Sequence, residues 1–172
     1  MSGGIVVKVW NITGDSVKKG TKAQLADSVG YILNSEKTVA QTELNPLDQL
    51  TRECKYVEND LKTFDGAYVG GHNVTSTDVS HAVDEMMKVK KFFDKQNGRA
   101  ALHMLISLPE EESDPSNASR LMQLCSDVLK EIFPNNQAVF AVHTNTDNLH
   151  VHVIVNSVGL NGKKIHQDKN FV

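Results

Sequence analysis

The chain lacks the marks of several large protein classes. It has two cysteines, Cys54 and Cys125, both in helical patterns and with no metal-ligand spacing between them. That usage fits a reducing cytosol and gives neither thiol a required reactivity. No apolar run is long enough to cross a bilayer. Residues 1–7 (Met-Ser-Gly-Gly-Ile-Val-Val) lack the basic region, apolar stretch and cleavage site that a secretory signal presents in order. There is no internal repeat, low-complexity tract or linker, so 172 residues read as one domain able to bury a core. Net positive charge is also missing. The formal charge is −3, which weighs against a generic nucleic-acid binder. That total conceals an uneven distribution. Glu110, Glu111, Glu112 and Asp114 form one acidic block. Lysines gather at Lys8, Lys18, Lys19 and Lys22, then at Lys88, Lys90, Lys91, Lys95 with Arg99, and again at Lys163, Lys164 and Lys169. Local basic patches bear on phosphate binding more than the total does, although for any single cluster a solvated helix face is the stronger reading.

The elements follow from periodicity. Residues 5–12 are β-rich and predict a first strand. Residues 21–34 show a helical stripe of Leu25, Ala26, Val29, Ile32 and Leu33, with Tyr31 nearly opposite it. Asn45-Pro46 caps a helix to about residue 62, carried by Leu47, Leu50, Cys54, Val57 and Leu61. Residues 64–73 hold a brief strand or an irregular loop. Residues 77–96 predict a long helix facing inward through Val79, Ala82, Val83, Met86, Met87 and Phe93, stopped by Asn97-Gly98. Residues 99–108 predict a strand with one apolar face (Ala100, Leu102, Met104, Ile106, Leu108) and one mixed face (Ala101, His103, Leu105, Ser107). Asp114-Pro115 opens a further helix, and residues 137–143 and 150–157 are strands. A polar, basic tail follows, with a turn at Asn161-Gly162. The class is α+β, with an antiparallel sheet whose apolar face is covered by helices and whose polar face is open.

The strongest chemical signal is in residues 143–156. His150 and His152 flank Val151, so in a strand both imidazoles lie on one face while Val151, Val153 and Val155 lie on the other. Residues 144–149 have the length and composition of a hairpin connection. If the two strands pair antiparallel, His143 returns beside His150 and three imidazoles converge. Three neutral nitrogen ligands suit a divalent metal such as Mn²⁺, Zn²⁺, Co²⁺ or Ni²⁺, and open coordination positions suit catalysis. The bland alternative is three unrelated surface histidines.

Other candidates are weaker. Asn156 shares the histidine face, and Asp147 could hold a histidine's second nitrogen or be a turn residue. His103 and Ser107 share a face of their strand, but a core histidine and a small filler residue would look the same. A tyrosine hydroxyl near a metal can attack a phosphodiester. On the residues alone Tyr31, Tyr56 and Tyr68 compete for that role, and none is required.

His150-Val151-His152 resembles the histidine–hydrophobic–histidine signature of the HUH endonucleases. The wider pattern resembles conjugative relaxases, the mobilisation nucleases of MobA and VirD type. Tyr31-Ile32-Leu33-Asn34-Ser35-Glu36-Lys37-Thr38 looks like the family's nucleophile block. Tyr68 to Asn73 resembles the short segment that follows it. His103 to Leu108 resembles a strand carrying a histidine and a serine, and residues 143–156 resemble the three-histidine block. Two positions depart: Ser35 stands where the family often has proline, and Asn145 where it usually has aspartate. The resemblance implies a central antiparallel sheet of about five strands flanked by helices. It implies one N-terminal relaxase domain over residues 1–172, cut from a longer bacterial cytoplasmic protein. The implied activity is site- and strand-specific nicking at a plasmid or integrative-element transfer origin, starting conjugative transfer. Tyr31 would become joined to the 5′ end. His143, His150 and His152 would hold the metal, Mn²⁺ or Mg²⁺ foremost, with Zn²⁺, Co²⁺ or Ni²⁺ as alternatives. Asp147, Asn156, His103, Ser107 and Lys37 would support the metal ligands or contact DNA. The implied partners are single-stranded origin DNA with a flanking hairpin, and relaxosome accessory and coupling proteins. The alternatives are a rolling-circle replication initiator or transposase of the same superfamily, or a non-catalytic metal- or DNA-binding accessory protein.

Overall fold

A computed structural model describes residues 4–12, 21–32, 68–143 and 147–166. The helix expected to end near residue 62, Cys54, Tyr56, Lys37, Asn145 and Lys169 lie outside these residues. Five strands form one antiparallel sheet: β1 (Val6–Ile12), β2 (Val69–His72), β3 (Ala101–Ser107), β4 (Ala138–His143) and β5 (His150–Asn156), in the spatial order β1-β3-β5-β4-β2. The brief strand allowed within residues 64–73 is therefore present, as β2 at one edge. The other described elements are α1 (Thr21–Ile32), α2 (Val79–Phe92), α3 (Ala118–Ile132) and two 3₁₀ turns, Glu110–Glu112 and Pro115–Asn117.

The expectation that helices cover one sheet face is corrected. On one face, α3 packs Leu121, Cys125 and Leu129 onto Leu102, Met104, Ile106, Phe140, Val142, Val151, Val153 and Val155. On the other, α1 and α2 pack Leu25, Val29, Ile32, Ala82, Val83 and Met86 onto Ala101, Val139 and Ile154. The reason lies within the mixed face. It is polar at the end that carries His143 and His150, but its opposite end presents small and apolar side chains that need cover. The molecule is thus layered helix, sheet, helix, with β4 and β5 buried along their whole length. Gly70 serves this packing, because a Cβ there would run into the Phe140 ring.

Element ends depart from the predicted ones for local reasons. In α2, Asp78 accepts from the His81 N–H as N-cap. The helix ends earlier than Asn97-Gly98 because Asp94 already takes a left-handed conformation, φ 52°. Asp114 caps only a 3₁₀ turn, accepting from the Ser116 N–H, and α3 begins at Ala118. The turn expected at Asn161-Gly162 is present, with Gly162 at φ 75° and the Phe93 ring against its Cα.

Candidate metal centre

Strand register builds the site in rows. On the mixed face the first row across the central strands is His143, His150 and Ser107. The second is Ala141, His152 and Leu105, and the third is Val139, Ile154 and His103. His143 and His150 are therefore direct cross-strand partners, as the hairpin reading required, and His152 stands one row inward. Ring centroids are 5.6 Å apart for His143–His150, 4.6 Å for His143–His152 and 5.0 Å for His150–His152. One ligand nitrogen from each lies within 4.8 Å of the others. Among the described residues no carboxylate or thiol joins this group.

The hydrogen bonds sort the nitrogens. His143 Nε2 donates to the backbone carbonyl of Ile32, in the last turn of α1. A carbonyl only accepts, so Nε2 carries the proton and a neutral ring has its lone pair on Nδ1. His150 Nδ1 donates to the Asn148 carbonyl at 2.8 Å, which leaves Nε2 as its lone-pair nitrogen. His152 Nδ1 lies 2.8 Å from His103 Nε2. Burial, and then the charge of His143, push His103 down to about 4, so its ring is neutral at ordinary pH and can accept from His152. Each of the three rings thus has one nitrogen tied to protein, which fixes its orientation. The donor set fits a divalent transition metal better than Mg²⁺, which prefers oxygen.

The scaffold is pinned from the acidic loop. Leu108 N–H donates to the Leu149 carbonyl, Asn148 Nδ2 to the Leu108 carbonyl at 3.0 Å, and Leu149 N–H to Ser113 Oγ at 2.9 Å. These bonds hold the start of β5, and with it the Asn148 carbonyl that orients His150. Nothing in side-chain spacing marks a backbone carbonyl, so the parts played by Ile32 and Asn148 were invisible in the sequence.

The remaining candidates separate. Ser107 sits beside His150 in the first row and donates to the Leu108 carbonyl. Asp147 is exposed at the hairpin connection. Asn156 is on the right face but four residues from His152, about 13 Å along the strand. It is fully buried, and its amide donates to the Met86 carbonyl and to Gln137, so it fastens α2 to the sheet. That position corrects its reading as a supporting or DNA-contacting group. Tyr68 packs with the α3-side core, on the sheet face away from the histidines. Position 31 is adjacent in the chain to Ile32, whose carbonyl binds His143. Cys125 is buried in the core, its thiol pushed up to about 12 by burial, and it is no nucleophile.

An antiparallel five-stranded sheet thus lies between helices, with a three-imidazole group on two of its inner strands, β4 and β5. Residues 56–171 match the family model described as relaxase, MobA/VirD2-like, nuclease domain, and the chain belongs to that family. The match begins downstream of Tyr31. A protein named rlx from Staphylococcus aureus is 26% identical over 132 residues, 76% of this chain and 38% of that protein. The group II intron-interrupted relaxase LtrB of Lactococcus lactis subsp. cremoris is 26% identical over 161 residues, 79% of this chain and 28% of its own length. The chain thus spans well under half of these relatives. A solved structure described as the molecular basis of vancomycin resistance transfer in Staphylococcus aureus gives a TM-score of 0.48 at 16% identity, over 98% of this chain and 78% of that one. Among the described residues no helix is long and apolar enough to cross a membrane.

Proposed function

We propose that this chain is the nicking domain of a conjugative relaxase, which cuts one strand of a transfer origin and stays joined to the 5′ end through Tyr31. The observation that carries the proposal is the convergence of His143, His150 and His152, with the last turn of α1 held to one of them through the Ile32 carbonyl. His143, His150 and His152 would hold a divalent cation, Mn²⁺ ahead of Mg²⁺ given three nitrogen donors. Bound there, such a cation would supply positive charge against the scissile phosphate. Three neutral ligands leave it its full positive charge.

The chain's own groups do the rest. The Tyr31 oxygen forms the new bond to phosphorus and the 3′-oxygen departs. The phosphotyrosine ester retains enough bond energy to be re-closed on a 3′-hydroxyl. His103 fixes the His152 ring by accepting from Nδ1, and the Ile32 and Asn148 carbonyls fix the other two rings. Ser107, beside His150, would contact a phosphate oxygen by turning its hydroxyl from the Leu108 carbonyl. Lys37, within the nucleophile block, would contact the DNA backbone. The substrate is single-stranded origin DNA with its flanking hairpin, brought by accessory and coupling proteins in the cytoplasm of a bacterium.

The test is cleavage of a labelled single-stranded origin oligonucleotide with Mn²⁺, followed on a denaturing gel. A covalent protein–DNA adduct is expected, lost in Tyr31→Phe. Cleavage without an adduct rejects the tyrosine mechanism. Binding without cleavage or adduct, across several metals and cognate origins, favours a non-catalytic accessory protein, the reading that the net negative charge supports.

A further inference from the structure

Two basic stretches that are far apart in sequence meet at the end of the sheet opposite the histidines. The C-terminal end of α2 and the loop after it are fastened to the hairpin at residues 158–165. Lys95 Nζ donates to the Gly162 carbonyl, Lys164 Nζ to the Asn97 carbonyl at 3.2 Å, and Arg99 to the Ile165 carbonyl at 3.2 Å. The Phe93 ring packs on Gly162. Residues 86–99 and 157–166 together carry seven lysines and arginines and one acid, Asp94, in a chain whose net charge is −3. Lys90 is fully buried there, donating to Ser157 Oγ at 2.6 Å, and Lys164 adds to the burial that pushes it down to about 8. Like charge has thus accumulated at this joint to the point of self-repulsion.

On the outer side of α2, Lys88, Lys91 and Phe92 follow at i, i+3 and i+4, one helical stripe, and Lys95 comes from the loop just after the helix. Lys88 and Lys91 are exposed, and Phe92 is 82% exposed, the most exposed large apolar side chain among the described residues. Its ring stands edge-on to Phe93 at 4.9 Å between centroids, which braces it away from the core. Leu160, on the adjoining hairpin, is 48% exposed. A solvated helix face explains lysines, but it does not explain a phenylalanine held out among them. Cations spaced along a groove or ridge, with an aromatic face between them, are the means by which proteins hold single-stranded nucleic acid: ammonium groups on phosphates, a base on the ring.

We propose that this ridge is a second binding surface for single-stranded DNA, separate from the nicking centre. From His150 to Ser157 the strand spans about 23 Å, so the ridge engages DNA several nucleotides from the scissile phosphate. α2 lies in the same layer as the histidine face, so one strand can run from the metal centre along that side. The surface rests on the relaxase reading only for its biological substrate; its chemistry does not require the histidines.

The experiment is fluorescence anisotropy of the whole chain with labelled oligothymidylate, which contains no origin sequence. Phe92→Ala is expected to weaken binding about tenfold. Lys88→Gln with Lys91→Gln is expected to lower the slope of log affinity against log salt by about 1.4. Both changes are at exposed positions, and unchanged thermal melting verifies the fold. Failure of nicking with ridge binding intact rejects the relaxase reading and leaves the ridge. Equal affinity of Phe92→Ala and wild type overturns the ridge. So does equal binding of duplex DNA, of poly-glutamate or of anionic phospholipid vesicles with the same dependence on Phe92, because each marks a general polyanion surface.

Discussion

The two ends of the sheet collect nitrogen in opposite forms. At the end made by His143, His150 and Ser107, the nitrogens belong to imidazoles, each tied through one atom to a neighbouring group. The acidic block Glu110–Glu112 with Asp114 follows β3 at this same end. At the end made by Arg99, Ser157 and the final hairpin, the nitrogens are ammonium and guanidinium groups, which only donate. On the two proposals, one end takes a cation and the other an anion. A net charge near zero therefore says little about this molecule, because its charge is segregated along about 20 Å of strand.

Changes at one end should leave the other untouched. The largest effect expected is from His150→Ala with His152→Ala: Mn²⁺ affinity measured by calorimetry falls by roughly 100-fold or more, while melting without metal changes little. Mn²⁺ affinity within a few-fold of wild type would dissolve the contrast, since the imidazoles would then be mere packing. His103→Phe is expected to cost about 10-fold to 100-fold in metal affinity, and His103→Gln much less, because the Gln carbonyl can still accept from His152 Nδ1. Equal losses in both variants would mean that His103 fills space and orients nothing.

At the lysine end the effect is on stability and has the opposite sense. Lys90 sits near 8 in the fold against 10.5 for an ordinary lysine. Between those values the unfolded chain binds more protons, so the wild type gains stability as pH rises through that window. Below about 8 the buried charge is a cost. Lys90→Met is expected to stabilise the protein by about 2 kcal/mol at pH 7, with the advantage shrinking between pH 8 and 10.5. Urea melts across that range check both sign and window. A destabilised variant at pH 7 would show that the bond to Ser157 outweighs desolvation.

How much of this was legible in the sequence depended on the kind of signal. Strand parity placed His150 and His152 together, and the polar connection returned His143 to them, because period-2 alternation and hairpin length are local properties. The stripe of α1 and the apolar face of β3 were legible for the same reason. The second helical layer was not. Its sheet-side contacts, Ala101, Val139 and Ile154, lie singly on three strands, and only their register joins them. Asn156 was misassigned because parity gives a face but not a depth along it. The Ile32 and Asn148 carbonyls carry no side-chain signature. The meeting of residues 88–99 with 163–164 depends on where the hairpin after β5 folds back, which no local pattern states.

The bond from His143 to the Ile32 carbonyl joins two equilibria. The ring proposed as a metal ligand is the ring whose Nε2 holds the last turn of α1. Any free energy by which an occupied site favours that ring orientation is returned, in the same amount, as a preference for α1 ending where it does, and the reverse holds equally. Loading of the site and placement of position 31 are therefore linked functions, so a change that loosens the end of α1 should be readable as a weaker site even though it removes no ligand.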